Sequence, residues 1–349
     1  MIPDSDAGFF VGKMEKMEIG DQSENSRNEP DFRWAILIIG TTLIAAAIYI
    51  FIPLGSSTSI IVPFECPLGI GVADNYDSEI FTTAYEQATK PIAITNNLTH
   101  FLETFRTEVF DNWGHSYEQV KAGMYHWKSN MFAPEINEGD SIYESACGIG
   151  LNIFMTLEIL KEVKNIDTLY VYGNEYLKVS ADRANLLFDH VAPNNAKKGK
   201  ICVGDSTHLF FVPSNAFDLV YTGYIFPIID PLHFNLTSEA NDKKYAELCE
   251  AEDWQSKKLS EMAQGIQNDF YGKWVAEMVR IAKPGKAIIV EQVSLPLCNA
   301  YFDWGGVHPH WWKPAIDRYG WDVDPTSLTM ENDTIFKQRY HVFLRKNRD

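Results

Sequence analysis

Apolar and polar positions follow three different patterns along this chain. No charged residue lies between Trp34 and Phe64, and the apolar run from Trp34 through Ile52 has the length of a membrane-spanning helix. Pro53 and Gly55 stop it, so the expected transmembrane helix is 34–54. Residues 1–33 are polar and acidic without sustained periodicity and read as a disordered tail. Residues 54–75 carry Gly, Ser, Thr and Pro and read as an irregular linker. Helical spacing follows: Leu98, Phe101, Leu102 and Phe105 make one apolar face, and Tyr117 to Trp127 is a second helix. The segment 55–137 is therefore read as linker and helical cap.

From Asp140 the pattern changes to short β-rich runs alternating with helices. The predicted strands are Ser141–Ser145, Thr168–Tyr172, Lys200–Val203, Phe217–Tyr221 and Ala287–Val293. Between them lie helices over Leu151–Val163, Val179–His190 and Phe270–Ala282, and a closing hairpin pairs Ser327–Glu331 with Tyr340–Leu344. The segment Leu232–Gly265, rich in Lys and Glu, reads as an insertion, either a lid or a solvated helix. This alternation predicts an α/β fold over 138–349: Rossmann-like, doubly wound, with a mostly parallel seven-stranded sheet, an N-terminal helical cap and one transmembrane helix ahead of it.

The flanks of the apolar run orient it. Arg33, Arg27, Lys16 and Lys13 precede it, and no Lys or Arg follows until Lys90. The positive-inside rule then keeps the N-terminus cytosolic and places the large domain in the lumen of an endomembrane, with a cytosol-facing domain as the alternative. A cleaved leader would have a shorter apolar region nearer the N-terminus. Asn97, Asn235 and Asn332 begin N-glycosylation sequons and are compatible with a lumenal domain. A lumenal enzyme would need imported cofactor, which weighs the other way.

The formal net charge of -17 disfavours nucleic acid, whose phosphates such a surface repels. The five cysteines are odd in number, widely spaced and contain no C-x-x-C pair, which argues against a zinc site and against a disulfide scaffold. Buried free thiols are expected, with one disulfide possible in an oxidising lumen.

The first strand runs into Glu144-Ser-Ala146-Cys-Gly148-Ile-Gly150. Small residues there let a ligand approach the backbone, and the following helix offers free N–H groups. The third glycine of a dinucleotide fingerprint is replaced by Ile153, so that motif fails. The second strand ends at Glu175, an acid able to accept from two ribose hydroxyls. The third ends Gly204-Asp205-Ser206, a common turn sequence. Farther on come Asn215-Ala-Phe-Asp218-Leu-Val-Tyr221 and Lys283-Pro284-Gly285 before a fifth strand.

This series, from Asp140 to Leu295, resembles the class I S-adenosylmethionine-dependent methyltransferases, with Ala146 replacing the first glycine of their opening motif. The resemblance implies S-adenosyl-L-methionine as cofactor. It also implies that Glu144, Ala146, Gly148 and Gly150 surround the methionine moiety, Glu175 holds the ribose and Asp205 meets the adenine, with Ser206 and Thr222 alongside. Acceptor-side residues belong at the strand ends. Tyr224, within Thr222-Gly-Tyr224-Ile, and His308 and His310, within Gly305-Gly-Val-His-Pro-His-Trp-Trp312, are the catalytic candidates. The H-x-H pair has no evident carboxylate partner, so no metal is expected. The fourth strand lacks the Asp/Asn-Pro-Pro-aromatic run that the family uses on adenine or glutamine amino groups. A small-molecule or lipid-like acceptor is the favoured substrate, the membrane is contacted through the N-terminal helix, and a catalytically inactive membrane-anchored binding protein is the alternative.

Overall fold

In the computed structural model the described residues are 62, 64–67, 117–166, 168–191, 197–223, 230–236, 238–299, 305–336 and 338–348. All lie within the unit Ser57–Asp349. The expected tail and transmembrane helix, the 98–105 helix and Tyr224 fall outside them. Among the described residues no helix is long and apolar enough to cross a membrane.

Seven strands form one sheet: β1 (Ser141–Ser145), β2 (Tyr170–Glu175), β3 (Lys197–Val203), β4 (Phe217–Thr222), β5 (Ala282–Ser294), β6 (Thr329–Asn332) and β7 (Arg339–Arg345). Their order is β3-β2-β1-β4-β5-β7-β6. The first five pair in parallel, while β7 runs antiparallel to both β5 and β6. This is the Rossmann-like, mostly parallel architecture that the sequence predicts. Parallel strands covered on both faces read as continuous apolar runs, and β1, β2 and β4 are buried at every position.

Helices cover both faces. On one, α1 (Tyr117–Trp127), α2 (Leu151–Lys164) and α3 (Lys178–Val191) pack with Ile142, Leu219, Tyr221 and Ile289. Tyr117, Val120, Met124 and Trp127 form the buried stripe of α1, which continues as a π-helical turn over Lys128–Phe132. On the other face, α5 (Trp254–Ile281) and α6 (Trp312–Tyr319) pack with Tyr143, Val220, Ile288 and Val290. Each fully buried Ile or Leu contributes roughly 1.5–3 kcal/mol.

Several boundaries differ from expectation. The helix before β5 begins at Trp254, capped by Asp253, whose side chain accepts from Ser256 N, because its exposed first half lacks the apolar period that marks the second. It ends at Ile281, and the Lys283-Pro284-Gly285 segment is already extended within β5. Lys283 bonds Asp218 at 2.7 Å and so ties β5 to β4. The Leu232–Gly265 segment divides between α4 (Ser238–Glu250), half-packed through Tyr245 and Leu248, and the start of α5.

The free-thiol expectation is corrected for four of five cysteines. Cys66 bonds Cys202, and Cys249 bonds Cys298, leaving only Cys147 free. The partners are 136 and 49 residues apart, so local spacing gives no sign of them; the fold brings their Cα atoms to 5.3 and 5.0 Å. The first bond holds the short segment at 62–67 against β3, where Lys200 Nζ also donates to Phe64 O and Glu65 Oε2.

Candidate functional site

The C-terminal ends of β1, β2 and β3 lie side by side and are laced together by backbone bonds. Cys147 N donates to Asn174 O at 2.9 Å, and Gly204 N to Glu175 O at 3.0 Å. The β1 turn takes left-handed conformation at Ala146 (φ 55°), Gly148 (φ 55°) and Gly150 (φ 85°). Gly150 precedes α2 without any side-chain cap, and a Cβ there would meet Phe188 at 2.9 Å, so helix approach and backbone conformation both demand glycine. At Gly148 a Cβ would meet nothing within 4 Å, so the turn has open space on that side.

Glu175 is buried at the end of β2. Its Oε2 accepts from Gly148 N at 2.9 Å and its Oε1 from Leu177 N at 3.0 Å. Burial pushes its carboxyl up, while the amides of Leu177, Gly148 and Tyr176 oppose that. Asp205 closes a tight turn, Oδ1 accepting from Thr207 N and Oγ1 at 2.8 Å each. Its neighbour Ser206 faces inward: Asn174 Nδ2 donates to Ser206 Oγ at 2.9 Å, and Tyr143 OH donates to Asn174 Oδ1. Thr222 is likewise fully buried, its hydroxyl donating to Gly223 O. The structure thus gives Ser206 and Thr222 bonds within the strand ends.

Glu144 is buried on the α1–α2 face of β1. Its Oε1 accepts from Asn152 Nδ2 at 2.8 Å, and the same amide nitrogen donates to Glu291 Oε2 at 2.9 Å. Glu291, on β5, receives Lys128 Nζ on both oxygens at 2.9 Å, and neither side chain of this ion pair is exposed to solvent. The Lys128 ammonium also lies 4.2 Å from the Phe132 ring centroid. Glu144 Oε2 is buried without a hydrogen-bond partner among the described residues. Burial raises the Glu144 carboxyl to about 8, with Glu291 adding to the rise and Asn152, Lys128 and the nearby Gly223 amide opposing it.

A register shift in β5 between Val290 and Val293 carries this network to the sheet's other half. Gln292 adopts φ 53° there, and its N–H donates to His341 Nδ1 at 3.1 Å. His341 Nε2 lies 3.2 Å from Asp333 Oδ2, and its ring stacks on Trp127 at 4.5 Å.

Lys128, Asn152, Glu291, His341 and Asp333 were not foreseen as site residues. A glutamate closing the apolar run of β5 was the one visible signal; Lys128 follows an ordinary amphipathic helix. His308 and His310 are exposed just ahead of Trp311 and Trp312, which pack on the α5 face, opposite the Glu144–Glu291 network. His308 Nδ1 accepts from His310 N at 3.2 Å, making a small cap for the turn.

These residues fit S-adenosylmethionine on geometric grounds. The turn at Gly148 is open, an acid stands at each of the first two strand ends, and Glu144 carries a buried acceptor atom that lacks a donor. Strand order and the strand-end acids define a Rossmann-like α/β domain, a fold that binds ligands outside the carboxyl ends of its strands.

No family model matches the chain, and no curated protein matches it. Solved structures do. A methyltransferase of Leishmania major described as S-adenosylmethionine-dependent is 14% identical, with 75% of this chain and 90% of that one covered at a TM-score of 0.41. Proteins of the same description from Methanosarcina mazei (12% identity, 63% and 98% covered, TM-score 0.38) and Aquifex aeolicus (10%, 63% and 89%, 0.36) are also similar. The fold assignment rests on strand order and register, and at such identities these likenesses assign no reaction.

Proposed function

We propose that the chain binds S-adenosyl-L-methionine at the β1–β3 edge and transfers its methyl group to a small-molecule or lipid-like acceptor. The observation that carries this reading is the buried, donor-less Glu144 Oε2 near the end of β1, whose following turn is open at Gly148. An amino-acid ammonium supplies the missing donor. In this reading Glu175 takes the ribose hydroxyls, sharing its lone pairs with the turn amides, and Asp205 takes the adenine amino group.

Bound there, the cofactor would supply a methyl group already activated by its positive sulfur. The chain's residues orient that group and exclude water. Of the three catalytic candidates, His308 and His310 are exposed in the layer opposite the Glu144–Glu291 network, and Tyr224 lies outside the described residues. Tyr224 is kept as the acceptor-side candidate on its place in the sequence after β4.

The anchor at 34–54 and a lumenal domain are part of the same proposal. Two disulfides suit an oxidising compartment, and Asn235 and Asn332 are both exposed. A glycosidase-sensitive mobility shift is expected in a secretory host; an unchanged mobility together with free thiols would reverse the orientation.

Calorimetry with S-adenosylmethionine and with NADH tests the cofactor. Binding of the former alone is expected, weakened at least tenfold by Glu175→Ala or Asp205→Ala. A screen of lipid and small-molecule pools for loss of the donor methyl tests turnover, and binding without any turnover would leave a binding protein.

A further inference from the structure

We infer that Glu144 is a proton-for-ammonium exchanger: the free protein keeps a proton on this carboxyl, and the ammonium of an amino-acid ligand displaces it. The inference rests on the cofactor reading above and specifies which part of the ligand Glu144 senses.

Lys128 gives both of its hydrogen bonds to Glu291, so its charge is already matched. Asn152 links the two carboxyl groups but brings no charge. From β4, Tyr221 faces the cluster as a phenol that burial keeps neutral, and from the β1 turn Cys147 faces it as a thiol that burial likewise keeps neutral. Glu175 is held by the backbone amides of its own corner. One carboxyl is thus in excess, and it is Glu144, whose Oε2 meets no donor. An isolated buried carboxylate is expensive, and a group so placed takes up a proton instead. The elevation of Glu144 to about 8 agrees with that count.

A ligand ammonium removes the need for the proton. The carboxylic acid loses H⁺ to solvent, the carboxylate accepts an N–H from the ammonium, and the network stays neutral before and after. A sulfonium cannot replace the ammonium here, because it has no hydrogen to donate to Oε2. Lys128, contributed by the turn after α1, sets the stoichiometry: by neutralising Glu291 it leaves one acid to exchange.

The test uses the full-length chain titrated with S-adenosylhomocysteine, which keeps the ammonium and lacks the sulfonium. Calorimetry at pH 7 in phosphate and in Tris, whose ionisation heats differ, counts protons. Net proton release on binding is expected at pH 7, and less of it as pH rises past 8. Affinity should rise close to tenfold from pH 6 to pH 7. Glu144→Gln should release none and bind with no pH dependence over that interval. Equal heats in both buffers for the wild type would overturn the exchange while leaving the cofactor reading intact, as would release that persists in Glu144→Gln. If that variant does not fold, the wild-type proton count across pH 6–8 decides alone. Failure of both S-adenosylhomocysteine and S-adenosylmethionine to bind would overturn the cofactor reading and the exchange together.

Discussion

Ala146 holds a backbone conformation that costs a residue with a Cβ about 1–2 kcal/mol. Ala146→Gly should therefore stabilise the chain by up to about 1 kcal/mol after glycine's own entropy cost, as read from urea midpoints, without loss of ligand affinity. Glu144 makes the opposite kind of residue-scale prediction. Burial raises its folded-state value above the unfolded 4.5, so the folded chain holds this proton longer. Its contribution to stability is complete below about pH 4.5, declines as pH rises, and is lost above about 8, at no more than about 1.4 kcal/mol per pH unit. Thermal melts between pH 5 and 8 should show this decline in the wild type and a flatter profile in Glu144→Gln; parallel profiles would rule it out. The strand-end positions of residues 144, 175 and 205 were legible because each closes or follows a β-rich run. The inward turn of Ser206 was not, since Gly-Asp-Ser has the same appearance whichever way its hydroxyl points.

At the scale of elements, the α1 segment and β5 are joined through Lys128 and Glu291. Lys128→Met leaves a buried carboxylate without its cation and should cost about 3–5 kcal/mol in chemical denaturation. Adding Glu291→Leu should recover part of that loss, because two apolar side chains pair without a desolvation cost. No added cost in the single variant would mean that the pair is not buried in solution. Strands and helices from 141 to 191 were readable from periodicity, since buried parallel strands are apolar runs and α2 carries its own face. The length of α5 was not readable. Trp254, Met262 and Ile266 stay exposed along its first half, so the apolar rows there do not mark the core. The π-helical turn left no sequence trace either, because it depends on where Lys128 finds Glu291.

At the scale of the whole molecule, order and topology were legible because alternation of strand and helix leaves few ways to build a parallel sheet. Cysteine pairing was invisible, being decided by which distant segments the fold brings together. Closing loops of 136 and 49 residues restricts the unfolded chain by about 4 to 5 kcal/mol each in the chain-entropy picture. Cys66→Ser or Cys249→Ser should lower the urea midpoint accordingly, and non-reducing peptide mapping should recover the two cross-linked pairs; exchange among other pairings would refute them.

The Cys66–Cys202 bond also decides what a protease can accomplish. A single cut anywhere between those two positions yields a nicked species whose halves still travel as one molecule until a reductant is added. The apolar leader at 34–54 stays covalently fastened to β3 through such a nick. In the anchored form proposed above, a cut between Cys66 and Cys202 therefore releases nothing until that disulfide is reduced.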